Sequence, residues 1–406
     1  MTTKEFMLFT GLCAPIISAL SCAVMLLLYR RQRGWREGNG TLYRLLVAYF
    51  LAIGVMWAVS MSYVYLPMCY VRLNIPYFLG LFWAQVVFYQ FVYTLTRLPG
   101  EKRFPRAHYV VPLLIVVVFA VWSALVPFEV QVQLVMSRGE PVEGYEAYSR
   151  LFTSRLVFRG VWNFAYTALA WWRLLVYRHR IPDYSANADR SSLSWVTLLL
   201  VISLGLVPPS LLSAIYSKQV LISSALLLLP QLLLVVQHAV LCYNMAVGNF
   251  VVIRYPDEEE DAPLPYPPEG SEEERAARRR KFERYMNERR PYLNPELQVT
   301  DLAAVFNTNR TYISRFINRE YGINFSRYIN MLRLEEMERL RGDLSCAHLT
   351  EEERACMAGF GNFRGYARVK KQMEREERIN EKQERLERQE QSEPDKQKKK
   401  DDDGNK

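Results

Sequence analysis

The chain has 406 residues, 50% of them hydrophobic and 13% aromatic, with 51 Lys and Arg against 42 Asp and Glu for a net charge of +9. A mean hydropathy of -0.07 over so apolar a composition argues against one evenly mixed globular sequence and for two unlike halves averaged together. The net charge partly reflects membrane topology, so it does not by itself indicate nucleic acid.

Up to Asn249 the sequence is a series of long apolar runs: Phe6 to Tyr29, Leu45 to Leu66, Leu73 to Thr96, Tyr109 to Phe128, Val157 to Val176, Ser194 to Tyr216 and Val220 to Tyr243. Phe6 to Tyr29 carries no charge and, at ~20 residues, is long enough to span a bilayer. A signal peptide has a shorter apolar part ending at a small-residue cleavage site, so this run reads as a retained helix. Seven spans follow from the pattern. The first, third and fifth connections hold twelve Lys and Arg, among them Arg30, Arg31, Lys102 and Arg190, against five in the alternate ones, Arg72, Arg138, Arg150, Arg155 and Lys218. Positive residues stay on the cytoplasmic side, which puts the N-terminus outside and the C-terminus inside.

Polar residues are costly in lipid and face a bundle interior or water. Gln85 and Gln90 in the third run, Arg159 and Asn163 in the fifth, and Gln231, Gln237 and His238 in the seventh are the main ones. Two readings stand: hydrogen bonds between helices, or contact with a signal molecule, for which Gln85, Gln90, Asn163, Gln231 and His238 are the candidate sensor positions. The stretch Glu129 to Arg150 reads as the longest external loop, charged and solvated. Six cysteines form no CxxC pair and no metal-like spacing with the four histidines; Cys13 and Cys69, both toward the outer side, are the one pair that a disulfide would suit. No nucleophile triad, phosphate loop, HExxH or dinucleotide fingerprint is present, so neither enzymatic activity nor a cofactor or metal is expected.

From Arg254 the composition changes abruptly. The acidic run Asp257 to Asp261 and the segment PLPYPPEG read as a hydrated, partly extended linker. Ser271-x-x-Glu274 is a capping box opening a helix that Pro291 limits; Phe282, Tyr285 and Met286 give that helix an apolar edge. Thr300 is the expected N-cap of a short helix carrying Leu302, Ala303 and Phe306. Asn307-Thr308-Asn309 then breaks the pattern. In the next helix Ile313, Phe316 and Ile317 form an apolar stripe, leaving Thr311, Ser314 and Arg315 on the solvent side. Two helices joined by so tight a turn meet steeply, and the exposed face of the second fits a DNA major groove.

The run Asn294 to Leu340 closely resembles the DNA-binding domain of AraC-type transcription regulators. The resemblance rests on the pair Leu302-Ala303, the Tyr-Ile-Ser-Arg-Phe core at Tyr312 to Phe316, Gly322, Phe325, Tyr328-Ile329-Asn330 and Arg333-Leu334. It implies a second helix-turn-helix, and Ala355, Gly359, Phe360, Tyr366, Arg368 and Lys371 fall in its register. Arg354 and Lys370 depart from it, standing where the family has Ile and Phe. It further implies double-stranded DNA as partner, a bacterial host, and DNA contacts at Arg310, Thr311, Ser314 and Arg315, with Arg364 and Arg368 as counterparts in the second unit.

The expectation is an all-α protein: a seven-helix transmembrane bundle over residues 1–250, an acidic and Pro-rich linker over 251–270, an AraC-type double helix-turn-helix over 271–378, and a charged disordered tail over 379–406. Its function would be that of a multi-pass regulator of the cytoplasmic membrane, pairing as a homodimer in response to a small-molecule or envelope signal. The alternative is a multi-pass membrane protein whose cytoplasmic helices bind protein and not DNA.

Overall fold

The computed structural model describes residues 3–33, 40–98, 101–212, 228–251, 271–376, 378–379 and 382–383, and among these it is helical throughout, with one isolated β-bridge. The chain divides into two compact units. One comprises Met1–Ile181 and Ser192–Tyr255; the other takes Pro182–Ser191 together with Pro256–Lys406.

The first unit, the bundle, contains α1 (Thr3–Arg33), α2 (Gly40–Tyr65), α3 (Pro67–Leu95), α4 (Ala107–Ala124), α5 (Phe128–Met136), α6 (Glu146–Arg180), α7 (Ser194–Gly205), α8 (Val207–Leu212) and α9 (Leu228–Val247). Five of these, α1 to α4 and α9, are long and apolar enough to cross a membrane. Their outward faces are as apolar as their inward ones. In α4, for example, Val116 and Phe119 are buried while Leu114, Val117, Val118 and Val121 are exposed, an arrangement that water penalises and hydrocarbon does not.

The other two expected spans differ in kind. Helix α6 is 35 residues long, about 52 Å against a hydrocarbon core of about 30 Å, and it carries Arg150, Arg155, Arg159 and Arg173 along its length. The sixth run is the 12-residue α7 followed by the six residues of α8, whose start contains Pro208 and Pro209; prolines remove backbone donors and interrupt the helix there. Residues 213–227, where the sixth run ends and the seventh begins, lie outside the described residues, as do nearly all of the expected linker and most of the tail.

Three expectations need correction. The stretch Glu129 to Arg150 is not a solvated loop: it holds nearly all of α5 and the start of α6, and Val132, Leu134, Val135, Val142 and Tyr148 are buried in a core with Tyr70, Phe78 and Phe119. Arg155 is not a loop residue but a buried one inside α6. Cys13 and Cys69 are free thiols, as are the other four cysteines.

The second unit, the head, contains α10 (Glu272–Arg289), α11 (Val299–Val305), α12 (Arg310–Tyr321), α13 (Phe325–Gly342), α14 (Glu351–Met357) and α15 (residues 363–376). Ser271 caps α10 through a bond from the Glu274 N–H (3.3 Å). The cap of α11 is Gln298, not Thr300. Asp301 reaches back to the Gln298 N–H (2.8 Å) and completes a capping box there, drawing Thr300 into the first turn. Asn309 and Asn324 cap α12 and α13 through bonds from the amides of Tyr312 and Arg327. Phe282 and Met286 of α10 pack with Leu302, Ala303, Ile313, Phe316, Ile317, Phe325 and Tyr328 in the main core. Met337 and Leu340 carry α13 into a second core with Ala355, Ala358, Phe360, Tyr366 and Val369. Gly359 joins the two: its φ is +94°, and a Cβ there would meet the Tyr292 carbonyl oxygen at 2.4 Å, so only glycine fits.

The segment Pro182–Ser191, which the chain supplies from between α6 and α7, is part of the head. The Tyr184 carbonyl accepts from the Val299 N–H (3.1 Å), Ser185 bridges Gln298, and Ala186 is 1% exposed within the main core. Arg190 pairs with Glu296 (3.2 Å). Arg333 locks this strap in place. Its guanidinium, 1% exposed, donates to the carbonyls of Tyr292 (2.7 Å), Asn294 (2.8 Å) and Ala186 (3.1 Å) and to Asn330 Oδ1 (3.3 Å). Burial pushes its pKa down to about 10.

Candidate nucleic-acid interface and a cavity in the bundle

In the head, α12 buries Ile313, Phe316 and Ile317 and turns its other face outward. Thr311 and Arg315 are exposed and Ser314 is half-buried beside them, one helical turn apart on one face. Arg315 forms no ion pair among the described residues. The nearest acid on the helix, Glu320, is drawn off by Arg275 of α10 (2.6 Å), which leaves the outward face basic. Arg310, at the first turn, is half-buried with its guanidinium 5.6 Å from the Tyr184 ring of the strap. On α15, Arg364 and Arg368 are exposed four residues apart. All six expected contact residues are therefore at or near the surface of short helices, four of them exposed, Ser314 half-buried and Arg310 half-buried beside an aromatic ring.

The two departures from the register of the resemblance have a physical role here. Arg354 does not leave a hole where an isoleucine would pack: its guanidinium donates to the Cys346 and Ala347 carbonyls and pairs with Glu351 (3.0 Å), closing the turn before α14. Lys370 is half-buried, and its neighbour Val369 supplies the buried side chain. On α13, Glu336 bonds Arg339 (2.7 Å) and lies 3.5 Å from Arg290; the Arg339 bond, against the opposing effect of burial, holds its carboxyl below the usual range.

The bundle holds a cavity of about 430 Å³. It lies at the end where α1 starts, α2 ends and α3 starts, since Leu8 and Leu12, Ser60, Tyr63 and Val64, and Tyr70 and Tyr77 line it. Helix α6 contributes Phe152, Arg155, Leu156, Arg159, Trp162 and Asn163, a stripe at three- and four-residue spacing, and α9 adds Pro230, Gln231, Leu234 and Gln237.

Of the expected sensor residues, the cavity gathers Gln85, Asn163 and Gln231. It does not include Gln90 or His238. Gln90 accepts from the Tyr109 hydroxyl (2.5 Å), tying α3 to α4. His238 is fully buried between Tyr49 and Phe50, with Nδ1 on the Ser18 hydroxyl (2.9 Å), tying α9 to α1. These two serve helix packing. Arg155 was missed as a site residue because its position near the start of an apolar run reads as a loop charge. In the structure it bonds Asn74 and the Phe152 carbonyl (2.8 Å) and packs on the Phe119 and Phe152 rings.

No family model, no curated protein and no solved structure matches the chain.

Proposed function

We propose that the chain is a membrane-embedded, one-component transcription regulator: a seven-helix bundle of the bacterial cytoplasmic membrane senses a signal, and an AraC-type head binds double-stranded DNA on the cytoplasmic side. The single observation that carries the reading is the outward face of α12, where Thr311, Ser314 and Arg315 project from a capped helix whose other face is core. A guanidinium so presented suits O6 and N7 of guanine, while the threonine methyl and the hydroxyls suit neighbouring base edges. The register of the resemblance, from Leu302 to Leu334, supports the same assignment. Arg364 and Arg368 of α15 supply the matching contacts in the adjacent groove segment, and pairing of two chains sets two heads on neighbouring half-sites.

Chromatin pull-down of the tagged full-length protein from native membranes, with Arg315→Ala as control, tests this. Discrete peaks that share a sequence and vanish in the variant are the expected result. Enrichment equal in both proteins, across several growth conditions, would sink the DNA reading and leave a protein-binding head.

A further inference from the structure

We propose that the cavity at the α1-start end of the bundle binds a small amphipathic anion: a molecule with one carboxylate or similar acidic group, an apolar body, and a hydrogen-bonding substituent. The chemistry of the walls leads there. Among the described residues lining the cavity two are arginines, Arg155 and Arg159, and none is an acid. Arg155 is held by its bonds to Asn74 and the Phe152 carbonyl, so it fixes a positive potential in the wall. Arg159, one turn further along the same face of α6, has no hydrogen bond or ion pair among the described residues. Arg159 is half-buried, and a partly desolvated cation without a counter-ion in an apolar wall is disfavoured; an anionic guest reduces that cost.

Two further groups describe the guest. Gln231 is 3% exposed, and its Oε1 has no hydrogen-bond partner; the Nε2 of Gln85 is likewise buried and without one. Buried amide groups are otherwise almost always paired. A guest that offers a donor to Gln231 and an acceptor to Gln85, as a hydroxyl does both, completes them. Trp57, Met56 and Trp162 supply the apolar walls. At about 430 Å³ the space lies in the lower part of the range of small-molecule sites, about 300–1,000 Å³, which suits a single-chain or single-ring acid. Binding itself stands independently of what the head does; only the role of the guest as the signal rests on the regulator reading.

The experiment uses full-length protein in nanodiscs of zwitterionic lipid, with quenching of the cavity tryptophans read against 12-hydroxydodecanoate, 1,12-dodecanediol and 12-hydroxydodecyl-trimethylammonium. Saturable binding of the acid, roughly 30-fold weaker in Arg159→Gln and absent with the ammonium compound, is expected. Arg159 holds no bond among the described residues, so its replacement should leave folding intact, and an unchanged melting temperature of the variant verifies this. Equal affinity for the diol and the acid, or undiminished binding by Arg159→Gln, would overturn the proposal and leave a nonselective apolar void. A second arm adds phosphatidylglycerol to the discs. Binding of the acid unchanged by it is expected, whereas full competition would assign the site to a bilayer lipid and overturn the single-chain guest. Neither arm involves DNA, so failure here is separate from failure of the pull-down.

Discussion

Replacing Arg333 with methionine isolates what the strap contributes to the head. Methionine keeps the length and apolar contact of the stem but deletes every donor, leaving the carbonyls of Tyr292, Asn294 and Ala186 without their guanidinium partner. Hydrogen bonds from a charged donor contribute roughly 1.5–3 kcal/mol each, so three of them sum to about 6 kcal/mol. Against this stands the cost of burying the cation: the fall of its pKa from 12.5 to about 10 corresponds to roughly 3 kcal/mol, which the variant recovers. The net destabilisation is then about 3 kcal/mol, which by the tenfold change per 1.4 kcal/mol raises local opening roughly 100-fold. Hydrogen exchange on the full-length protein reads this directly, because the Val299 amide is held by the Tyr184 carbonyl of the strap. Faster exchange there and in α11, with α1 to α4 of the bundle unchanged, is the expected pattern. A Val299 amide that exchanges within about threefold of wild type, below ~0.7 kcal/mol, would refute the view that Arg333 locks the strap.

Gly359→Ala forces a Cβ to within 2.4 Å of the Tyr292 carbonyl at φ +94° and should destabilise α14 and α15 by about 2 kcal/mol or more, seen as earlier proteolysis after Arg364 and Arg368; equal cleavage rates would remove the assigned role of the glycine. Asn309→Ala deletes the cap of α12 at a cost of about 1 kcal/mol and, on the proposed function, weakens DNA binding through fraying at Arg310 and Thr311; a melting temperature and DNA affinity equal to wild type would contradict it. For pH, the Glu336 carboxyl titrates below its usual value of 4.5 because of Arg339, then Arg290. A depressed folded value means the stabilisation is complete above pH 4.5 and is lost as pH falls through the folded value. Protection of the α13 amides, taken relative to the intrinsic exchange rate at each pH, should therefore fall on acidification below that point in wild type, with a shallower response in Glu336→Gln; identical profiles would show that the Arg339 pair contributes nothing.

Local rules made the head legible. The stripe Ile313, Phe316 and Ile317, the asparagine break at 307–309 and Gly322 each act within one or two turns, and α12 begins and ends where they place it. Thr300 misled because a threonine two residues before Leu302 is a good cap in isolation, whereas Gln298 is held by its bridge to Ser185, more than a hundred residues away. The strap was unreadable for the same reason: Tyr184 and Ala186 are two modest apolar residues in a polar connection, and only the tertiary fold reveals that they finish a core. In the bundle, apolar length located five helices, but charge on α6 concealed that the helix runs on through Arg155, and no pattern in one chain separates a glutamine that ties helices, Gln90, from ones that face a cavity, Gln85 and Gln231. That distinction depends on which neighbour a side chain meets.

The strap also bears on release of the head from the bundle. A protease acting anywhere in 256–270 cuts the only stretch of backbone that joins the head to α9, yet Pro182–Ser191 would remain seated in the severed domain, with both its ends still continuous with α6 and α7. The cut product stays anchored through Ala186, the Arg190–Glu296 pair and the four bonds of Arg333. Shedding by a single cleavage is thereby built out of the molecule, and liberation of the domain takes a second event that withdraws the strap.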